Sequence, residues 1–394
     1  LNKEISEAEA WKHINQMFGG DLRHPDELEK VSTFTTRSPS LDRALQVGGW
    51  ARGRVYQMAG KPSSGKTFMS LVAMAEWQSL DPENCCAFID AEFTYDPIWA
   101  ASLGVDNNRV MLIKTNDGEK IFTGLVGTPK KNKATGKVTK IPGLLDMIRD
   151  GSRIAHKVGD KAVNLNLGKM GVIILDSVAA VQSPAEAESA VGKINVSPLS
   201  RFLTVELKSL TPAVAHANVC FIAINHVKTA IGVLYGNPET TPGGAAWKHA
   251  CSVMLMVAPI SGSDNQLSDS NEEKFGHKIR IKVEKNKLGP PYKKAEFFID
   301  FTSGVTKVEE QLLDLGCMYD VIQRPNSRSY IIGEKTLTSR ALALDYVAEH
   351  KDKIEDAVRE CYLSGKQVTL SDEDTSEFPD SSDELFVISE DEDE

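Results

Sequence analysis

"GKPSSGKTF", residues 60–68, sets two glycines five positions apart and follows the second with Lys66 and Thr67, giving G-x-x-x-x-G-K-T. The preceding "RVYQMAG" (54–60) is a short apolar run ending in glycine. "KTFMSLVAMAEWQSL" (66–80) has apolar residues at helical spacing. A strand, a glycine-rich loop and a helix start in that order are what triphosphate binding requires, because successive backbone N–H groups and the positive helix end then face the phosphates. Gly60, Ser63, Ser64 and Gly65 form the expected cradle. Lys66 is expected to reach the β- and γ-phosphates and Thr67 to ligate Mg²⁺. The alternative, a glycine-rich turn that holds no nucleotide, does not account for the strand and helix on either side.

Working outward, "CCAFIDAE" (85–92), "GVIILDS" (171–177) and "VCFIAINH" (219–226) are nearly continuous apolar runs ending in polar residues. Such runs are strands buried on both faces, with functional groups at their C-terminal ends. The expected fold class is α/β with a mostly parallel central sheet. Further strands are expected within 251–258, 278–286 and 294–301. Asp176 closes "GVIILD" as the second acidic element of a phosphate-loop site, placed to orient Mg²⁺ through water. Glu92, two residues beyond "CCAFID", is the candidate base, expected on a strand next to the phosphate-loop strand. Residues 127–140, "GTPKKNKATGKVTK", lack periodicity and read as a surface loop. From about 307 a smaller unit follows, with helical patterns and Gly365 as a helix cap.

The 394 residues suffice for two or three domains, and no apolar run reaches the length of a membrane helix. The N-terminal "LNKEISEAEAWKHINQMF" is polar and helix-patterned without a signal-peptide core, and the chain reads as cytoplasmic. It opens on Leu rather than Met, as a processed or truncated start would leave it. Six cysteines without a C-x-x-C pair read as buried free thiols rather than a metal or redox site. The net charge of −10 is an uneven average: residues 371–394 hold twelve Asp and Glu and no Lys or Arg. That tail reads as a solvated acidic arm, either solubilising or competing for a basic surface that binds a polyanion.

"STFTTRSPSLDRAL" (32–45), "CCAFIDAEFTYDPIWAASLGVD" (85–106), "IGVLYGNPETTPGG" (231–244) and "KVEKNKLGPPYKKAEFFI" (282–299) resemble the RecA recombinases, in order and near family spacing. The resemblance spans about residues 5–365 and suggests a divergent, phage-encoded member. It implies an N-terminal helical polymerisation segment (1–31), a RecA-like ATPase core with DNA loops (32–306), a small C-terminal α/β domain (307–370) and the acidic tail (371–394). It makes Lys66 and Glu92 catalytic, with ATP and Mg²⁺ as cofactors and metal contacts at Thr67 and Asp176. Asp96 and Trp99 would hold adenine, His226 would sense the γ-phosphate, and Lys285 and Lys287 would reach a neighbouring subunit's γ-phosphate. The implied first DNA loop is 186–199, with Val196 as its apolar contact, and the second is 227–244, with Gly243 and Gly244 at its end and Ile231 as a wedge between bases. Lys193, Arg201, Lys228 and Lys248 would meet phosphates. Implied partners are single-stranded and duplex DNA, further copies of the chain in a helical filament, and single-strand-binding and loader proteins; no membrane is implied.

The chain departs from the family pattern at several places. Trp99 stands where Tyr is usual, His226 where Gln is usual, and His249 replaces an interface aromatic. The stretch 124–169 is longer than the family needs, its Lys-rich part being either an added DNA contact or, the favoured reading, a solvated loop. Three functions compete. A strand-exchange recombinase fits all the motifs, a ring-forming helicase motor would share the core, and a nucleotide-switched filament scaffold or mediator would not need Glu92.

Overall fold

The computed structural model describes residues 6–19, 30–131, 138–158, 161–188, 198–229, 239–368 and 370. Residues 1–32 and 33–394 form two separate units. In the first, helix α1 (Glu7–Met17) starts at Ser6, whose hydroxyl accepts from the Glu9 backbone while the Glu9 carboxylate returns to Ser6. That reciprocal pair satisfies two of the donors a helix start leaves open.

The second unit is built on one sheet. Its main strands are β1 (Arg54–Gly60), β2 (Cys85–Asp90), β3 (Val110–Lys114), β4 (Met170–Asp176), β5 (Cys220–His226), β6 (Val253–Pro259), β7 (Lys274–Asn286), β8 (Lys294–Asp300) and β9 (Gly304–Thr306). They lie in the order β9-β8-β7-β6-β1-β5-β4-β2-β3, with the short strand Gln266–Ser268 added on β7. The six strands from β6 to β3 run parallel, and β7, β8 and β9 extend the sheet antiparallel. The apolar runs at 85–92, 171–177 and 219–226 are central strands, as their two-sided hydrophobicity requires.

Helices cover both faces: α2 (Pro39–Leu45), α3 (Lys66–Ser79), α4 (Pro97–Ser102), α5 (Gly118–Val126), α6 (Leu144–Arg149), α7 (Pro184–Ala187), α8 (Pro198–His216) and α9 (Gly244–Ala250). Strand residues alternate between two cores with the period of two that a pleat imposes. Tyr56, Met58, Ile174 and Ile222 pack with Phe68, Met69 and Val72 of α3. Val55, Ile173 and Phe221 pack instead with Ile121 and Leu125 of α5 and Leu203, Leu207 and Leu210 of α8. Beyond β9, α10 (Val308–Met318), a hairpin (Tyr330–Ile332 with Lys335–Leu337), α11 (Arg340–Glu349) and α12 (Lys351–Ser364) enclose a third core around Leu312, Tyr330, Val347 and Val358. Polar contacts tie it back to α2: Ser38 Oγ donates to Gln311 Oε1 at 2.7 Å, and Arg359 lies 3.6 Å from buried Asp42. Gly365 ends α12 in the left-handed conformation, as expected.

Two expectations are corrected. Glu92 does not follow a strand beside the phosphate-loop strand, because β5 and β4 lie between β1 and β2. Adjacency in a parallel sheet is set by crossover connections, which a linear motif does not carry. The two ends of the stretch 127–140 are strands rather than loop: Gly127–Lys131 pairs antiparallel with Val138–Pro142. A second unexpected hairpin joins Arg153–Val158 to Lys161–Asn166. Both are rich in polar and charged residues; the first buries no residue on either face, which erases the alternation by which strands are recognised, and of the second's described side chains only Ile154 and Leu165 turn to the core. All six cysteines are free, five of them buried and Cys317 half-buried. Among the described residues no helix is long and apolar enough to cross a membrane.

Candidate active site

β1 delivers the chain into the loop 61–65, and α3 leaves it. A Cβ on Gly60 would lie 2.3 Å from Val257 O and 2.6 Å from Ser64 Oγ, so the close approach of β6 and the loop requires glycine there. Gly65, at φ 95°, is the N-cap of α3 and brings no side chain to the helix start. The first N–H groups of α3 are thus left for an anion in the cleft. Lys66 is buried, and its Nζ turns back onto Lys61 O at 2.7 Å. Burial pushes its ammonium down from the ordinary value, against the opposing charges of Asp176 and Glu92.

Thr67 Oγ1 donates to Asp176 Oδ2 at 2.9 Å, so the two residues expected at the metal touch between the start of α3 and the end of β4. Burial pushes the Asp176 carboxyl up to about 6, although the Thr67 hydrogen bond pulls it down. A hydroxyl and an adjacent carboxylate are the hard oxygen donors that Mg²⁺ takes.

Glu92 reaches the same end of the sheet despite its remote strand. Ala91 N and Glu92 N donate to Asp176 O at 2.8 and 3.2 Å, which docks the end of β2 on the end of β4. The Glu92 side chain is held at one oxygen: Ser177 Oγ and His226 Nε2 (2.8 Å) both meet Oε1. Among the described residues Oε2 has no hydrogen bond. Burial raises the Glu92 carboxyl, but Ser177, His226 and the Lys66 charge outweigh it and hold the group below its ordinary value. Lys66, Thr67, Asp176, Glu92 and His226 therefore converge at the ends of four strands.

A cleft of about 610 Å³ opens beside them, with the loop from Ser63 to Thr67 on one side and Trp99, His277 and Phe301 on the other. Trp99 Nε1 donates to Phe301 O at 2.8 Å, fixing the indole against the end of β8. Asp96 is not in the cleft wall. Its carboxylate caps α4, accepting from Ile98 N and Trp99 N at 2.8 and 3.3 Å. Lys285 and Lys287 also lie away from this cleft. Lys285 Nζ donates to Lys248 O, His249 O and Cys251 O, and Lys287 Nζ to His249 O, so both cap the carbonyl end of α9.

Of the residues expected at DNA, Arg201 on α8 and Lys248 on α9 are exposed. Lys228 is exposed on the two-residue strand Lys228–Thr229, which pairs with Glu239–Thr240. Gly243 and Gly244 take positive φ at the start of α9, where a Cβ on Gly243 would meet Trp247 at 2.8 Å. Lys193, Val196 and Ile231 lie outside the described residues, as does the acidic tail. One buried network escaped the sequence reading: Asn225 Nδ2 donates to Gln57 Oε1 and to Pro242 O, and Trp247 Nε1 donates to the same Gln57 oxygen. It links β1 and β5 to the segment leading into α9. Ser177, beside Asp176, and Asn225, beside His226, could have been sought as neighbours of predicted residues; Gln57 and Trp247 carried no such signal.

The sequence matches the model of the RecA N-terminal domain over residues 5–126 and 150–306. The chain belongs to the RecA family. This is a family of DNA-dependent ATPases of recombination and repair that bind ATP with Mg²⁺. The chain is similar to Protein RecA of Bacillus velezensis, 33% identical over 375 residues that cover 93% of this chain and 95% of that one. It is likewise 33% identical to Protein RecA of a Methylobacterium species, over 91% of this chain and 90% of the relative, and to Protein RecA 1 of Myxococcus xanthus, over 89% and 86%. Residues 127–149, which include the first unexpected hairpin, fall between the two segments matched to the RecA domain.

Proposed function

We propose that this chain is an ATP-dependent strand-exchange recombinase that polymerises on single-stranded DNA and pairs it with a homologous duplex. The observation that carries this reading is the one-sided restraint of Glu92, whose Oε1 is fixed by Ser177 and His226 while Oε2 has no hydrogen bond among the described residues. A carboxylate so held, and kept ionised, suits general-base work. Oε2 takes a proton from water as the water oxygen adds to the γ-phosphorus and the bond to the β–γ bridging oxygen breaks, releasing ADP. Lys66 and the open N–H groups of α3 stabilise charge on the phosphate oxygens. Thr67 and Asp176 would hold Mg²⁺, which neutralises phosphate charge when bound. Trp99 offers a ring for adenine to stack on. His226 joins this chemistry to the strand Lys228–Thr229, so a change at the γ-phosphate is felt where DNA binds.

The N-terminal unit supports polymerisation. Trp11, Ile14 and Phe18 lie exposed at helical spacing, an apolar stripe suited to docking on the next copy in a head-to-tail filament. Lys285 and Lys287, outside their own subunit's cleft, would complete a neighbour's site in the filament. The test is strand exchange between single-stranded DNA and a homologous duplex, with and without ATP, for the parent protein, Lys66→Ala and Glu92→Ala. Exchange by the parent, none by Lys66→Ala, and filaments of Glu92→Ala that hold ATP but turn it over at least 100-fold more slowly are expected. Translocation by closed hexamers without exchange would instead identify a helicase motor, and parent-rate turnover by the Glu92 variant would remove its catalytic role.

A further inference from the structure

Residues 127–149 fall outside both segments matched to the RecA N-terminal domain. Within 127–142 there are five lysines and no acidic residue. The described part is a two-stranded antiparallel ribbon, Gly127–Lys131 with Val138–Pro142, whose second strand is exposed along its whole length. Ordinary surface strands bury one face; this ribbon buries neither, so packing does not explain its lysines.

Its base is fixed. Gly127 and Gly143 approach so closely that a Cβ on Gly143 would sit 2.3 Å from Gly127 N. Immediately after, Leu144, Leu145 and Ile148 of α6 are buried in the core with α5 and α8. The nearby acidic groups are already neutralised: Asp146 pairs with Lys140 at 2.6 Å and with Arg149 at 3.6 Å, and Asp150 pairs with Arg149 at 2.9 Å. Lys130 and Lys131 are exposed and have no carboxylate partner among the described residues. As consecutive strand residues they point to opposite faces of the ribbon.

We propose that this ribbon is an additional duplex-DNA contact, with Lys130 and Lys131 on the phosphates of the two strands flanking a major groove. A two-stranded ribbon fits that groove, about 12 Å wide. Cations on both faces meet both groove walls, whereas a one-faced patch would meet one. The site is separate from the proposed DNA loops. It lines a cleft opposite Ser209, Pro212 and His216 at the C-terminal end of α8, whereas Arg201 lies near the other end of that helix. Its contribution does not depend on strand exchange.

The experiment measures duplex affinity by fluorescence anisotropy from about 50 to 200 mM salt for the full chain, Lys130→Gln/Lys131→Gln and Lys130→Arg/Lys131→Arg, alongside ATP turnover stimulated by single strands. The Gln pair should weaken duplex binding and flatten the slope of log K against log salt by about 1.8, at about 0.9 per lost phosphate contact. The Arg pair should restore it, and turnover on single strands should stay within about twofold of the parent. Equal slopes for parent and Gln pair overturn the proposal, as does parallel loss of duplex binding and single-strand turnover. The same measurement on chains ending at residue 370 separates the competing occupant: if the Gln pair then matches its parent, the ribbon serves the acidic tail and not DNA. A protein that fails at strand exchange but shows the slope change would sink the recombinase reading and leave the ribbon's role standing.

Discussion

At the scale of single residues, burial of carboxylates makes the protein's stability depend on pH in an unusual direction. Asp176 and Asp42 are pushed up to about 6 and about 7, both mainly by burial. A carboxyl whose folded value lies above its unfolded one binds protons more tightly in the native state. Its contribution is therefore complete below about pH 4 and is lost as pH rises through the folded value. For Asp176 the loss amounts to at most about 3 kcal/mol, taking 1.36 kcal/mol per unit. Denaturant midpoints of the nucleotide-free protein should fall between pH 4 and 7, and Asp176→Asn should remove part of that fall, leaving the share due to Asp42. Superimposable profiles would show that Asp176 is not desolvated as described. Mg²⁺-dependent nucleotide binding should move the opposite way, strengthening as pH rises through about 6, because the ionised carboxylate is the form a cation takes. Glu92, Lys66, Thr67 and Asp176 were legible as candidates because each is fixed by motif or by a strand end. The split of Glu92 into one held and one free oxygen was not, since Ser177 and His226 meet it only through the sheet.

At the scale of elements, α9 stands between the two proposed activities. Its start carries Gly243 and Gly244, its buried Trp247 bonds to Gln57 under the phosphate loop, and its carbonyl end is capped by Lys285 and Lys287 from β7. Cations at a helix C-terminus stabilise it by about 0.3–1 kcal/mol each. Lys285→Ala/Lys287→Ala should therefore cost about 1–2 kcal/mol in unfolding free energy. If the lysines also complete a neighbour's site, DNA-stimulated turnover should fall at least tenfold while nucleotide binding by dilute monomer stays near the parent value. Loss of both in equal measure would restrict them to capping α9. Helix α3 and strands β1, β2, β4 and β5 were readable because buried central elements carry strong periodicity or long apolar runs. The two hairpins between α5 and β4 were not, because the first is wet on both faces and the second, in its described side chains, gives only Ile154 and Leu165 to the core, too little for a pattern to read.

At the scale of the whole molecule, charge is segregated: twelve of the last 24 residues are acidic, and the preceding chain is close to neutral, with five lysines within 127–142. A tethered acidic segment competes with DNA phosphates at high effective concentration. Removing residues 371–394 should tighten duplex binding at low salt more than single-strand binding, which also gains from base stacking that charge does not displace. Coincident salt titrations for full-length and shortened protein would limit the tail to solubility. The sequence by itself determined the phosphate loop, the strand ends bearing Asp176 and Glu92, the α/β class and the family, because these rest on local spacing and on apolar runs that only a doubly covered sheet can bury. Tertiary structure alone decided that two strands separate Glu92 from the phosphate loop, that Asp96 caps a helix outside the cleft, that Lys285 and Lys287 close α9, and that a lysine-rich stretch stands out as a ribbon. Each of those depends on which distant segments meet, and that is settled by crossover connections and packing across the sheet.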